Sequence, residues 1–185
     1  IVQAARELPA DLIVVRRRGQ RSFLANLLVG EMVGKVLAHA PCSVLLAPRG
    51  AQLWQRAVLV GLDPLAPDAA LLNQAMALAD EHRLPLHVLC VADTPALQPA
   101  AQQALAAALL QAGRSGRPVR GEVRVGRAHQ ELLAAAQACG ADLIVLARHG
   151  QHNLGRAWIG GVAQKVIGLA ECPVLVHVNP NPASP

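Results

Sequence analysis

The sequence is poor in aromatic rings: it has Trp54, Trp158 and Phe23, and no tyrosine. Surfaces that hold single-stranded or loop nucleic acid stack bases on such rings, so that mode of binding has no platform here. The net charge of +5 and pI near 9.7 favour acidic partners, but the densest basic run, Arg16-Arg17-Arg18, reads as a solvated loop. No apolar run approaches the roughly 20 residues of a membrane-crossing helix. The first residues also lack the basic-then-apolar pattern of a secretion signal. The expectation is a soluble, cytoplasmic protein without nucleic-acid or membrane partners.

Metal and catalytic patterns are missing as well. Cys42, Cys90, Cys139 and Cys172 stand far apart, with no C-x-x-C and no histidine at zinc spacing. They are expected to be small buried hydrophobes. His149 and His152 are close in sequence but have no evident third ligand, so no metal is expected. There is no G-x-S-x-G elbow, H-E-x-x-H or Walker A run, and Ser22, Ser43, Ser115 and Ser184 have no visible base. Enzymatic activity is therefore not expected.

What the chain does have is an internal repeat. Ala10-Asp11-Leu12-Ile13-Val14 answers Ala141-Asp142-Leu143-Ile144-Val145, and Gly19 answers Gly150 at the same spacing. Gly30, Lys35-Val36 and Cys42 answer Gly160, Lys165-Val166 and Cys172 one residue closer, so the two loops differ in length by one. Each copy reads as a short buried parallel strand, a glycine loop, a helix and a second strand. The helices bury Val33, Val36 and Leu37, or Val162, Val166 and Leu169. The second strands are Val44–Ala47 and Val174–Val178. The two lysines, Lys35 and Lys165, fall on solvated helix faces. Such a unit is a right-handed crossover with a crevice at the carboxyl end of its first strand.

Between the copies the pattern supplies a complete domain. Arg49–Gln55 has no period and follows Pro48, so it reads as a linker. Ala57–Leu62 is a buried strand ending at Asp63. Asp68 caps a helix with the stripe Leu72, Ala75, Met76, Ala79. A strand follows at Leu86–Val91, then an alanine- and leucine-rich helix over Pro99–Ala112. Pro118–Val125 alternates as an edge strand, and a helix over Arg127–Cys139 closes at Gly140. With ample apolar residues for a core, the fold class is α/β, a doubly wound open parallel sheet. Residue 1 is Ile, and Ile1–Ala5 matches Leu132–Ala136, so the chain enters partway along a helix. The expected organisation is residues 1–48 as the closing half of a first domain, 49–55 as linker and 56–178 as a complete second domain. Residues 179–185 form a Pro- and Asn-rich tail without regular structure.

The Ala-Asp-Leu-Ile-Val strand, the loop ending Leu-Leu-Val-Gly or Trp-Ile-Gly-Gly, the Lys-Val pair and the Cys-Pro-Val-Leu-Val strand together resemble a universal stress protein domain. The resemblance implies a five-stranded sheet of order 3-2-1-4-5, of the adenine nucleotide alpha-hydrolase-like kind. It also implies a nucleotide loop of the form Gly-x2-Gly-x9-Gly-Ser/Thr after the fourth strand. Glycines let the backbone approach ribose and phosphates, and the following helix offers unpaired N–H groups. On this chain the positions map to Ala147, Gly150, Gly160 and Gly161, flanked by Arg148 and Val162. Asp63 and Val91 match the residues beside the adenine. Ala147 adds a methyl and Gly161 lacks the hydroxyl, so the site is a degenerate one for ATP or AMP. Slow hydrolysis of a bound nucleotide stays open. Trp158 is expected to pack on the domain surface.

The first half departs further, with Arg16 at the first glycine and Glu31 at the hydroxyl position, and no nucleotide is expected there. The implied function is a small stress-response binding or regulatory protein. The alternative is a nucleotide-free dimerisation or partner-interaction module. Self-association, or pairing of the two halves within one chain, would use the last strand.

Overall fold

The structure, a computed structural model, describes residues 1–16, 30–113, 116, 118–148 and 159–179. Its elements in chain order are α1 (Val2–Glu7), β1 (Leu12–Arg16), α2 (Glu31–His39), β2 (Ser43–Ala47), β3 (Val58–Leu62) and α3 (Ala69–Glu81). There follow β4 (Leu86–Ala92), a 3-10 turn (Pro95–Leu97), α4 (Gln98–Ala112), β5 (Val119–Val125), α5 (Ala128–Cys139), β6 (Leu143–Ala147), α6 (Gly161–Leu169) and β7 (Val174–His177).

Local chemistry sets several of these limits. The Asp68 carboxylate accepts from the N–H groups of Ala70 at 2.8 Å and Leu71 at 3.1 Å, starting α3. α5 stops where Gly140 adopts φ 67°, a left-handed value that favours glycine. Lys35 meets Glu31 at 2.7 Å one turn apart on the exposed face of α2.

The expected five-stranded parallel sheet is corrected to a seven-stranded mixed one, ordered β1-β2-β7-β6-β3-β4-β5. All neighbours are parallel except β2 and β7. The strands of residues 58–177 lie in the order β5-β4-β3-β6-β7, and β2 then continues the ladder where that sheet would have ended. The enlargement has a simple cause. An apolar strand edge leaves backbone groups unpaired, and β2 satisfies those of β7.

The β2–β7 register has a symmetry of its own. Val44 faces Val176, Leu45 faces Leu175, and Leu46 faces Val174. Val44 and Val174 hold the same repeat position, as do Leu46 and Val176. The Leu45–Leu175 pair therefore lies on a local twofold axis relating the two copies, the geometry of an isologous contact inside one chain.

Apolar layers cover both faces of the sheet. One gathers Leu37, Leu132, Val166 and Ile167 over Ile13, Val44, Ile144 and Val176. The other gathers Leu71, Leu72, Ala75 and Ala104 over Val58, Val60, Leu143 and Val145. β1 is not the fully buried strand expected: Ile13 and Val15 are buried, while Leu12 and Val14 are 41% and 62% exposed. Their repeat partners Leu143 and Val145 are fully buried in the α3 layer. Over β1 no such helix stands among the described residues.

Other details differ from the sequence expectation. Trp54, assigned to a linker without period, is buried against the α3 layer, with its ring edge-on to His82 at 6.0 Å. An aromatic side chain finds apolar cover whatever its backbone does. On α6 the buried face runs through Ala163, Val166 and Ile167; Val162 is 40% exposed, and Leu169 only partly buried. On α3, Leu71 joins the buried stripe and Met76 lies at its margin. Among the cysteines Cys90 is buried and the other three are intermediate. Phe23, Gly19, Arg17, Arg18 and the tail beyond Asn179 lie outside the described residues.

Asp142 fastens the segment entering β3. Its carboxylate accepts from Gln55 N at 2.7 Å, Arg56 N at 3.0 Å and Ala57 N at 3.1 Å. Asp11, its repeat partner, accepts no such bonds among the described residues. Asp142→Ala is expected to lower unfolding stability by about 2 kcal/mol, because a charged acceptor for several backbone donors is lost. Asp11→Ala should stay within about 0.5 kcal/mol. Paired urea titrations check this, and equal losses would refute it.

Candidate functional site

β3 and β6 lie side by side and parallel, Val58 against Leu143 and Gly61 against Leu146. Chain connections leave them toward opposite sides: α3 follows β3, and α6 follows the loop after β6. A crevice opens at their carboxyl ends, where doubly wound sheets hold ligands. It has a volume of about 270 Å³, close to the lower end of small-molecule sites at roughly 300 Å³.

Seven of the eight residues singled out from sequence line this one cavity: Asp63, Val91, Ala147, Arg148, Gly160, Gly161 and Val162. The eighth, Gly150, lies outside the described residues, as do His149, His152 and Trp158. Asp63 ends β3 and folds back to accept from Leu65 N at 2.9 Å, which sets the turn at Pro64. Val91 is buried on β4, and Ala147 ends β6.

Gly160 closes the loop, donating its N–H to the carbonyl of Arg148 at 2.9 Å and capping α6 without a side-chain bond. The first N–H groups of α6 have no partner within the helix and carry its positive dipole end toward the cavity. No acid stands in that first turn, whereas the matching turn of α2 begins with Glu31. The crevice can thus receive a group with hydrogen-bond acceptors or negative charge at α6, and an apolar planar group against Leu89, Val91, Leu132 and Leu146.

Arg148 lines the cavity and its side chain also reaches the first half of the chain. Its Nη1 donates to the carbonyls of Ala38 at 3.3 Å and Ala40 at 3.4 Å, at the end of α2. Sequence reasoning also missed Asp93 and Gly61 in the lining. Gly61 carried a signal, a glycine inside an apolar strand, which marks close approach by neighbours. A Cβ there would stand 2.6 Å from Leu132 Cδ2 and 2.7 Å from Leu146 Cδ2.

Near the crevice a polar node joins the halves. His177 Nδ1 donates to Gln74 Oε1, to which Ser43 Oγ also donates at 3.0 Å. Burial pushes the His177 imidazole below its ordinary pKa, which keeps it neutral near pH 7. Burial, assisted by the charge of Asp63, pushes the Cys90 thiol up to about 11, so it is not a thiolate near pH 7. Among the described residues no three His, Cys, Asp or Glu side chains converge as a metal set. Likewise, no helix among them is long and apolar enough to cross a membrane.

The chain matches the universal stress protein family over residues 1–48 and again over 55–177. A universal stress protein of Methanocaldococcus jannaschii is 36% identical over 61 residues, a match spanning 33% of this chain and 38% of that one. The crystal structure of a universal stress protein from Archaeoglobus fulgidus has a TM-score of 0.74 at 22% identity, covering 98% of this chain and 65% of that one. Another A. fulgidus universal stress protein, in complex with dAMP, has a TM-score of 0.55 at 20% identity, covering 66% of this chain and 98% of that one. This chain therefore spans less than two thirds of the M. jannaschii protein and of the longer A. fulgidus chain. The doubled strand, glycine loop and helix are accounted for by one lineage: the chain belongs to the universal stress protein family.

Proposed function

We propose that this chain is a small soluble binding and regulatory protein of the stress response whose crevice takes an adenine nucleotide, ATP or AMP. One observation carries the reading: the strand ends of β3 and β6 and the uncapped start of α6 face a single cavity. A helix start with unpaired N–H groups favours phosphate, and the apolar wall opposite favours a base. The A. fulgidus relative in complex with dAMP supports the choice of ligand class. The protein works by binding rather than by chemistry of its own, in the cytoplasm and without a metal. Residues 1–48 and 56–178 act as a tandem, and the contact of β2 with β7 is read as a dimer-like interface folded into one chain.

The site departs from the family loop at Ala147, which adds a methyl where the backbone would approach the ligand, and at Gly161, which lacks the hydroxyl. Space for the missing hydroxyl exists, since a Cβ on Gly161 meets nothing within 4 Å. The double variant Ala147→Gly, Gly161→Ser is therefore expected to bind ATP about tenfold more tightly, ~1.4 kcal/mol. Calorimetric titration of both proteins checks this. No gain would mean the loop is not an eroded nucleotide site.

A second reading, a nucleotide-free partner module, draws on the charge of the lining. Asp63 and Asp93 both border the cavity, and Arg148 is the one cation among the described lining residues. Under that reading ATP gives no heat in either protein.

A further inference from the structure

Arg148 stands at the lip of the crevice, yet its guanidinium serves the first half of the chain. The bonds from Nη1 to Ala38 O and Ala40 O, 3.3 and 3.4 Å, lie beyond the roughly 2.7–3.2 Å usual for N–H donors to oxygen. Its Nε is buried with no hydrogen-bond partner among the described residues. A guanidinium held this loosely is poised to exchange acceptors. Its backbone cannot follow: Arg148 N donates to His177 O at 3.0 Å, and Arg148 O accepts from Gly160 N at 2.9 Å. Any change of partner is confined to the side chain.

The acceptors at the other end have their own reason to hold an arginine. The last carbonyls of a helix lack intrahelical donors and carry its negative dipole end. Arg6 Nη2 donates to His39 O at 3.3 Å beside the Arg148 contacts, so two arginines serve the final turn of α2. The repeat also keeps this residue type, since Arg17 holds in the first copy the position Arg148 holds in the second; Arg17 lies outside the described residues.

We infer that Arg148 is shared between two acceptors: an anionic group of a crevice ligand and the C-terminal carbonyls of α2 compete for one guanidinium. Occupancy of the crevice then loosens the end of α2, and the first half of the chain in turn weakens anion binding, as linkage requires. This rests on the nucleotide reading of the crevice and adds a regulatory role for the first half. A phosphate outcompetes neutral carbonyls because its bond to arginine is between opposite charges. A ligand lacking an anionic group has no such claim on Arg148, which separates competition from mere filling of the cavity.

The test is hydrogen exchange of the α2 segment, residues 31–40, in the full chain alone, with saturating ATP and with saturating adenosine, binding of each being followed by calorimetry. ATP is expected to raise exchange in the last turn of α2 about fivefold, the scale of a lost capping bond, and adenosine to leave it unchanged. In Arg148→Gln that turn should exchange faster without ligand, with no further rise on adding ATP. ATP that binds while the last turn is unchanged, or changes as it does with adenosine, overturns the competition and leaves the nucleotide reading standing. Absence of binding by both compounds overturns the nucleotide reading and this inference together. The ligand comparison uses the unaltered protein, so a variant that fails to fold does not blunt it.

Discussion

Val176→Lys should uncouple the two halves of the sheet and lower unfolding stability by at least about 3 kcal/mol. Val176 is fully buried, faces Val44 across the β2–β7 ladder and pairs with Leu146 on its other side. No acidic group neighbours it in these registers. A lysine there must either bury an unpaired ammonium, lose its proton at a cost, or push β2 away from β7. Each route destroys the junction, and a loss of this size is a large part of the 5–15 kcal/mol typical of a domain. Urea unfolding by circular dichroism reads the loss. Leu12→Lys, on the exposed side of β1, is the control and should shift stability by no more than about 0.5 kcal/mol. Equal midpoints for wild type and Val176→Lys would mean that β2 and β7 are not paired.

Gly61→Val should damage both the core and the crevice. Gly61 lies in β3 between Leu62 and Val60, paired with Leu146 on one side and Leu89 on the other. A first carbon there already meets Leu132 Cδ2 at 2.6 Å and Leu146 Cδ2 at 2.7 Å, closer than real contacts allow. Two further methyl groups force Leu132 and α5 outward. Overpacking of this kind costs about 1–3 kcal/mol, and here it also thickens the apolar wall of a cavity of about 270 Å³. The expected outcome is a variant that stays folded at lower stability and loses ligand affinity more than tenfold, over ~1.4 kcal/mol. Gly61→Ala, adding only the first carbon, should lie between. Unchanged stability and unchanged cavity binding in Gly61→Val would contradict the packing of α5 over β3.

How far the sequence discloses this molecule depends on the range of the interactions involved. Periodicity and breakers located the strands and helices of residues 58–177, because each burial pattern is local: Leu86–Ala92 is apolar on both faces, and Asp68 caps where its spacing says. The repeat between Asp11 and Asp142 exposed two similar units, and the resemblance to a universal stress protein domain implied one crevice for Asp63, Ala147 and Gly160, which all line it. Pairing of β2 with β7 into one seven-stranded sheet is a long-range choice that no local pattern encodes. The exposure of Leu12 and Val14 follows from what does not cover them, which their own sequence, so like Leu143 and Val145, cannot tell. Trp54 was hidden because its backbone is irregular while its side chain is core. The position of Arg148 near the glycine loop was legible, but the acceptors its guanidinium meets, at Ala38 and Ala40, lie far away in the chain.

The central claim is that the crevice between Asp63 and Gly160 binds an adenine nucleotide. Calorimetric titration of ATP into the intact chain, with mass spectrometry of anything carried through purification, tests it most directly. The account predicts a single saturable site per chain, lost in Gly61→Val and strengthened in the Ala147→Gly, Gly161→Ser variant. No binding heat in the wild type, no gain in the double variant and no carried nucleotide would contradict it, leaving the chain a partner-binding module whose crevice is a relic.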